Sequence, residues 1–234
     1  KQDHWVVTID KKYGCDINNP EDLSLITKDW DTVVFLAAEP NLAAVKRNPI
    51  AATHTMTGGL VNCLDKFADS HFVFFSSSMV YGDFVDGTRE EASTKPQNIY
   101  GEAKLTGERL TKLFAKRHGL NYVIVRPSGV FGPGDLPDRV VSKFFDKAMK
   151  NEEIHLHNGE NKVDFTYRQD AARGIVLAAL SPVSNVSFNI TAGNATSLRT
   201  LAETIIDITG SKSKIINKVY RSLQNFFQCI NQAN

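Results

Sequence analysis

Residues 73–82 read Val-Phe-Phe-Ser-Ser-Ser-Met-Val-Tyr-Gly, and this stretch decides the fold. An apolar run that ends in three hydroxyl side chains predicts a buried strand whose carboxyl end opens into a site. Tyr100 and Lys104 follow in a segment with helical periodicity, and their spacing of four places both on one face, one turn apart. A phenol, a cation one turn away and a nearby serine can form a proton-transfer unit. Because a Tyr-x-x-x-Lys pair is a weak signal by itself, the rest of the chain has to support it.

The composition argues against several classes of protein. With 27 basic and 26 acidic residues among 234, the formal charge is +1, which removes the usual electrostatic argument for a nucleic-acid partner. No apolar stretch approaches the ~18 residues needed to cross a bilayer and no signal peptide opens the chain, so we expect no membrane partner and a cytoplasmic protein. Three widely spaced cysteines indicate reduced thiols rather than a disulfide framework. The six histidines form no ligand set, and we expect no metal.

Short apolar strands alternate with helices along the chain. Because most of the strands are apolar throughout, they favour a parallel, doubly wound sheet covered on both faces, a Rossmann-like α/β fold. Gly58 and Gly59 are a weak point within the second helix, and Gly119 is expected to end the helix that carries Tyr100. The predicted strands cover 5–9, 13–15, 32–36, 73–78, 122–125, 154–157 and 187–190, and the predicted helices cover 20–28, 49–67, 100–118, 140–150, 170–180, 198–209 and 222–231.

Ligands of such sheets bind at the carboxyl ends of the strands. In this chain the predicted strand ends carry acidic, small, hydroxyl or cationic residues, which together indicate a binding crevice. These residues are Asp10, Asp16, Ala37, Ala38, Ser76, Ser77, Ser78, Arg126 and Pro127.

Taken together, these motifs resemble the extended short-chain dehydrogenase/reductase family, the NAD-dependent epimerase/dehydratase group that acts on nucleotide sugars. The resemblance spans about residues 5–215. Each motif is modest alone, but seven of them occur in the order of the family. They are the segments 15–23, 33–38, 76–83, 100–104, 126–134, 164–170 and 188–194.

The resemblance implies NAD as the cofactor and assigns three residues to its adenosine half. Asp10 would hold the ribose hydroxyls, as an acidic residue at the end of the second strand does for NAD rather than NADP. The alternative for Asp10 is an ordinary turn residue. Asp16 and Ile17 would flank the adenine, although Asp16 could instead start the turn at Asn18-Asn19-Pro20.

The resemblance also places small or apolar residues along the rest of the cofactor. Leu36, Ala37 and Ala38 would pass close under it, where bulk cannot be tolerated. Pro127 and Val130 would line the nicotinamide side.

For the chemistry, the resemblance implies a catalytic set of Ser77, Tyr100 and Lys104. Ser77 would contact the reacting sugar oxygen and Tyr100 would be the general base. Lys104 would hydrogen-bond the nicotinamide ribose and, with the positive ring of the cofactor, lower the pKa of the phenol from ~10 towards neutrality. Ser78 and Met79 would contact the substrate beside Ser77 and Tyr100, and Ser78 could share the task of Ser77.

The chain departs from the family at its start. The family begins with a strand and a Gly-x-x-Gly-x-x-Gly turn that cradles the pyrophosphate, and no such turn occurs here. We therefore expect the first βα unit, about 25 to 30 residues, to be absent from this chain. Residues could also be absent around 217–221. The expected organisation is an NAD-binding domain over 1–150 and mainly a substrate-binding lobe over 151–234, with some segments returning to the core.

Met79 bears on the reaction. Family members that eliminate water carry an acid just after the catalytic hydroxyl, because that step needs a second proton donor or acceptor. Here Ser78 and Met79 follow Ser77, which argues against a dehydratase. We expect an NAD-dependent nucleotide-sugar 4-epimerase that works through a 4-keto intermediate. The alternatives are an NAD(P)-dependent nucleotide-sugar reductase or dehydrogenase and, less favoured, a non-catalytic NAD-binding or scaffold protein.

The resemblance further implies a homodimer. In the family the helices that here start near Pro49 and Tyr100 pack against their copies. Leu105, Leu110 and Leu113, expected to be exposed and apolar, are compatible with this contact, although a single amphipathic helix usually buries such a face in its own domain.

Overall fold

A computed structural model gives the structure of residues 4–27, 29–39, 41–82 and 87–218. The chain falls into two compact units, the first formed by 1–130 and 166–191 and the second by 131–165 and 192–234. The chain therefore passes between the units three times, whereas the predicted division has its main boundary at residue 150, with some later segments returning to the core. The binding roles assigned to 1–150 and 151–234 stay predictions.

The chain alternates between strands and helices, numbered here in chain order. The strands are β1 (Thr32–Phe35), β2 (His71–Phe75), β3 (Tyr122–Pro127), β4 (Gly129–Phe131), β5 (Ile154–His157), β6 (Lys162–Tyr167), β7 (Val186–Ile190), β8 (Ala195–Ser197) and β9 (Ile215–Lys218). The α-helices are α1 (Pro20–Ser24), α2 (Leu42–Arg47), α3 (Pro49–His54), α4 (Leu60–Lys66), α5 (Ile99–His118), α6 (Val140–Met149), α7 (Arg168–Leu180) and α8 (Leu198–Thr209).

The first unit is built on a four-stranded parallel sheet with the order β1-β2-β3-β7. Successive residues of a strand point to opposite faces, so Phe72 and Phe74 of β2 pack with Leu64 of α4 on one face. Val73 packs on the other face with Ala178 of α7. Both faces are thus covered by helices, and the predicted Rossmann-like α/β fold with a parallel sheet is confirmed.

Helix α5 forms where the sequence predicts it. The side chain of Asn98 accepts a hydrogen bond from the Gly101 amide and caps the first turn, and Gly119 ends the helix with φ +77°. At Gly107 the helix lies so close to β2 that an added Cβ would collide with the Phe74 ring. The glycine therefore permits the close packing that holds α5 against the sheet.

The predicted weak point at Gly58-Gly59 is a single π-helical segment, Thr55–Gly59, between α3 and α4. Such segments widen a helix locally and occur often at functional sites. Ile17 lies directly on this segment, because a Cβ added at Gly59 would be 2.8 Å from Ile17 Cδ1.

The second unit has its own apolar core. Strands β5 and β9 pair in parallel, and β6 pairs antiparallel with β8 between Lys162–Asp164 and Ala195–Ser197. Helices α6 and α8 pack on this unit's core through Phe144, Ala202 and Ile205.

Two predicted strands are wrong. Residues 5–9 form no strand, and neither do residues 13–15, because a short 3₁₀ turn over 11–13 ends at Gly14. A strand needs a hydrogen-bonded neighbour, and no described strand lies beside 5–9, so Trp5 and Val6 are 83% and 78% exposed. The short elements α2, β4, β6 and β8 were not predicted. The predicted helix 222–231 lies outside the described residues.

Candidate active site

The turn that follows β2 carries the predicted catalytic serine. Strand β2 ends at Phe75, and a 3₁₀ helix runs over Ser78–Tyr81. Ser77 caps this helix, since its Oγ accepts a hydrogen bond from the Met79 amide at 3.2 Å. Ser77 is half-buried and lies at the carboxyl end of the parallel sheet, where ligands of this fold class bind.

Residues 76–82 are called the serine turn below, and the first turn of α5 lies directly against them. A Cβ added at Gly101 would be 2.8 Å from the Met79 carbonyl oxygen, so only glycine lets the helix approach this closely. The Asn98 amide donates to Met79 Sδ at 3.9 Å across the same contact. Tyr100 is half-buried and packs against the apolar cluster that contains Met56 and Ala103. The predicted residues Ser77, Ser78, Met79 and Tyr100 are thus carried by two segments in contact.

Lys104 lies one turn further along α5 and is almost fully buried, with 1% of its surface exposed. Its Nζ donates to the Phe75 carbonyl oxygen at 2.7 Å and lies 5.7 Å from the centre of the Tyr100 ring. Because burial removes water from the ammonium, it lowers the pKa of Lys104 to about 7. An amine with this pKa can hold or release a proton near neutral pH.

A phenol, an amine and a hydroxyl are side-chain groups that take part in general acid–base chemistry. The predicted pairing of Tyr100 with Lys104 on one helix face is confirmed by their separation, and Ser77 lies in the turn after β2 that contacts the first turn of α5. Whether Ser77, Tyr100 and Lys104 act as a catalytic set stays a prediction.

The predicted adenosine contacts are placed differently from the expectation. Asp10 does not follow a strand. It is exposed, and its carboxylate caps the 3₁₀ turn by accepting from the Lys12 amide at 2.7 Å. Asp16 forms an ion pair with Lys11 at 2.8 Å and accepts from the Asn18 amide at 2.9 Å. The hydrogen bond from Lys11 holds the pKa of Asp16 below its usual value.

Asp16 thus forms the turn that was its alternative interpretation, and a role of either aspartate towards adenine or ribose stays a prediction.

The remaining predicted cofactor residues lie on or after strands of the first unit. Leu36, Ala37 and Ala38 follow β1, with Leu36 55% exposed and both alanines half-buried. Pro127 is buried at the end of β3, and Val130 is half-buried in β4.

The structure offers one observation on whether these residues fit a dinucleotide. Lys104 has three N–H donors, and among the described residues the only hydrogen-bond acceptor of its Nζ is the Phe75 carbonyl. A buried ammonium is stabilised by further acceptors such as ribose hydroxyls. The residues around Lys104 therefore fit the ribose half of a nicotinamide cofactor, while the chain contains no glycine-rich turn for the pyrophosphate.

Sequence reasoning missed the partner of Arg126. This arginine was counted among residues that line a crevice, but it is 3% exposed and forms a buried ion pair with Glu108 at 2.7 Å. Burial alone would lower the pKa of Arg126, but the hydrogen bonds and charge of Glu108 raise it above its ordinary value. The signal in the sequence was the spacing of Tyr100, Lys104 and Glu108, which stand four apart on one helix face.

Comparison with known proteins identifies the family. Residues 1–191 match the model of the NAD dependent epimerase/dehydratase family, so the chain belongs to this family. It is 28% identical over 200 residues to an uncharacterized UDP-glucose epimerase, YtcB, of Bacillus subtilis, a match that covers 83% of this chain and 63% of the relative. The chain thus spans just under two thirds of the length of this curated relative.

Two solved structures resemble the chain closely. One is a UDP-glucose 4-epimerase of Thermotoga maritima with UDP-glucose, with a TM-score of 0.80, 28% identity, and coverage of 88% of this chain and 71% of the other. The second is a UDP-glucuronic acid 4-epimerase of Bacillus cereus in complex with UDP-glucuronic acid and NAD, with a TM-score of 0.80, 25% identity, and coverage of 86% and 66%. Among the residues that the structure describes, every helix is too short or too polar to span a bilayer.

Proposed function

We propose that this chain is part of an NAD-dependent nucleotide-sugar 4-epimerase. The observation that carries the proposal is the placement of Tyr100 and Lys104 on the face of α5 whose first turn abuts the serine turn after β2. Membership of the epimerase/dehydratase family supports a nucleotide sugar as substrate and NAD as cofactor. The likeness to two 4-epimerase structures supports the position of the reaction on the sugar.

In this mechanism Tyr100 takes the proton from the 4-hydroxyl of the sugar and later returns it. Ser77 donates a hydrogen bond to the same oxygen and orients it for proton transfer. Lys104, in its protonated form, stabilises the ionised form of Tyr100 through its charge and binds the ribose of the cofactor. When bound beside these residues, NAD would supply the hydride chemistry at C4, namely the acceptor for oxidation to a ketone and the donor for its reduction from the other face.

Asp10, Asp16 and Ile17 are proposed for the adenosine half of NAD. Leu36, Ala37 and Ala38 are proposed along its length, and Pro127 and Val130 beside the nicotinamide. The NAD-binding part would lie mainly in 1–150 and the substrate-binding part mainly in 151–234.

Met79 favours epimerisation over loss of water. Its thioether occupies the position where a dehydratase needs an acid, and its sulfur contacts the Asn98 amide. A thioether neither donates nor accepts a proton near neutral pH. We therefore expect a reaction that needs only the hydroxyls of Ser77 and Tyr100, the amine of Lys104 and hydride transfer.

A panel of UDP-, dTDP- and GDP-sugars with added NAD tests this function, with the C4 epimer measured by chromatography. The expected result is interconversion of one sugar pair without a lasting rise in absorbance at ~340 nm, and loss of turnover by at least about 100-fold in Tyr100→Phe. Net formation of NADH would favour the dehydrogenase alternative. Unchanged turnover in Tyr100→Phe would refute the role of the phenol.

The protein is also proposed to be a homodimer through α3, α4 and α5. Exposed apolar side chains support this assembly: Ile50 is 81% and Leu113 61% exposed. The expected exposure of Leu105 is wrong, because it is buried at 6%, and Leu110 packs partly into the core of the first unit. A monomeric mass by light scattering would contradict the dimer.

A further inference from the structure

A buried polar network lies beside the serine turn in the first unit. At its centre, Nε and Nη2 of Arg126 donate to the two carboxylate oxygens of Glu108 at 2.8 and 2.7 Å. Ser76 Oγ donates to Glu108 Oε1 at 2.6 Å. Nη1 of Arg126 donates to the Tyr81 hydroxyl at 2.7 Å, and this hydroxyl donates to Asn189 Oδ1 at 2.8 Å. These five residues are called the Arg126 network below.

The network fixes both ends of the serine turn. Ser76, at the start of the turn, is bound to α5, and Tyr81, at its end, is bound to the last residues of β3 and to β7. The hydrogen bonds inside the turn are long, with the Val80 amide 3.2 Å from the Ser77 carbonyl oxygen. The network thus binds the two ends of the turn, and the first turn of α5 contacts its middle at Met79.

The network also holds the loop that returns towards α5. The Glu90 carbonyl accepts from Arg126 Nη1 at 2.8 Å, and the Glu90 carboxylate accepts from the Asn189 amide at 2.8 Å. The Asn189 side chain donates to the Thr88 carbonyl at 3.0 Å. Thr88 and Glu90, which follow the serine turn in the chain, are thus bound by Arg126 and Asn189 of the same network.

An ion pair this deeply buried is poorly explained by stability alone. Desolvation of two charges often exceeds their attraction, and apolar residues of similar volume can replace such pairs without loss of stability. Directional hydrogen bonds, in contrast, fix distances, and a misplacement of about 1 Å in an active site can lower a rate by about 100-fold. Glu108 shares its helix face with Tyr100 and Lys104, so the network connects that face to the turn that carries Ser77.

We propose that the Arg126 network sets the position of Ser77 relative to Tyr100, with Tyr81 as the positioning residue that holds the far end of the turn. The expected effect of this positioning on the reaction rate rests on the proposed function, whereas its expected effect on the position of the serine turn does not. Tyr81 suits a test because Tyr81→Phe removes only the hydroxyl from a side chain that is 5% exposed. Tyr122→Phe is the matched control: Tyr122 is also buried and begins β3 at its opposite end, and its hydroxyl feels the charge of Glu108 but makes no described hydrogen bond to the serine turn.

Hydrogen exchange in the full chain tests the position of the turn without reference to activity. In Tyr81→Phe the amides of 77–82 are expected to exchange about tenfold faster, while β2 keeps its protection. Tyr122→Phe should leave 77–82 unchanged. Unchanged exchange in Tyr81→Phe, or an equal acceleration in β2, would overturn the proposal.

Kinetics of the 4-epimerase reaction test the link to Ser77. Tyr81→Phe is expected to lower kcat about 10- to 100-fold with KM changed less than about threefold. In a Ser77→Ala background the same substitution should lower kcat less than about threefold, because the group that it positions is gone. Equal losses in both backgrounds would overturn the positioning role. If the parent chain turns over no nucleotide sugar, the proposed function fails, and the exchange measurement still decides whether Tyr81 holds the turn.

Discussion

The buried amine of Lys104 leads to a prediction about the pH dependence of stability. In the folded protein the pKa of Lys104 is about 7, against its ordinary value of 10.5, because burial disfavours the charged form. Between these two values the unfolded chain binds a proton that the folded chain does not. Stability must therefore rise with pH through this window, and Lys104→Met should remove that rise.

The magnitude follows from the two pKa values. Each unit between them corresponds to about 1.4 kcal/mol of unfolding free energy. From pH 7.5 to 9.5 the parent chain should gain about 2.5 kcal/mol relative to Lys104→Met. Below pH 7 both states carry the proton, so the difference between the two proteins becomes constant. Methionine suits the replacement because it has a similar length and a similar helix propensity.

Urea unfolding without nucleotide, followed by circular dichroism at several pH values, measures this effect. Lys112→Met is the matched control, since Lys112 is an exposed lysine of the same helix. Its stability curve is expected to run parallel to that of the parent. Parallel curves for Lys104→Met and the parent between pH 7.5 and 9.5 would refute the reasoning.

Three further substitutions test the packing that holds the site, each by urea unfolding. Arg126→Met should lower the free energy of unfolding by about 3–5 kcal/mol, because it leaves Glu108 buried without a partner, and a loss below about 1 kcal/mol would contradict this. Gly107→Ala should cost about 1–3 kcal/mol, since its Cβ meets the Phe74 ring, and an unchanged midpoint would show that α5 can move away from the sheet. Asn98→Ala should cost about 1 kcal/mol through the lost helix cap, and Asn98→Asp, which keeps an acceptor, should restore most of it.

Features with local causes were predicted well from the sequence. Helix α5 was expected over 100–118 and is observed over Ile99–His118, because Asn98 and Gly119 define its ends within a few residues. The weak point at Gly58-Gly59 follows from the low helix propensity of glycine and appears as the π-helical segment. The position of Tyr100 and Lys104 on one face of α5 could be predicted from the helical repeat alone.

Features that depend on distant parts of the chain were not predicted. The apolar residues 5–9 resemble a strand, but a strand forms only beside a neighbour, and none of the described strands lies there. The burial of Arg126 depends on Glu108, 18 residues away, and on Tyr81, 45 residues away. Asp10 was expected at the end of a strand because it follows the predicted strand 5–9. Since residues 5–9 form no strand, this expected position was wrong as well.

The most direct test of the proposed mechanism follows the hydrogen at C4 of the sugar. The nucleotide sugar identified by the panel would be supplied with deuterium at C4 and incubated with the protein and unlabelled NAD, and the epimer would be analysed by mass spectrometry and NMR. Because the hydride removed from C4 returns to the same carbon, the epimer should retain the deuterium at C4, and Tyr100→Phe should form it at least about 100-fold more slowly. Loss of the deuterium to free NADH, or equal epimer formation by Tyr100→Phe, would contradict the mechanism.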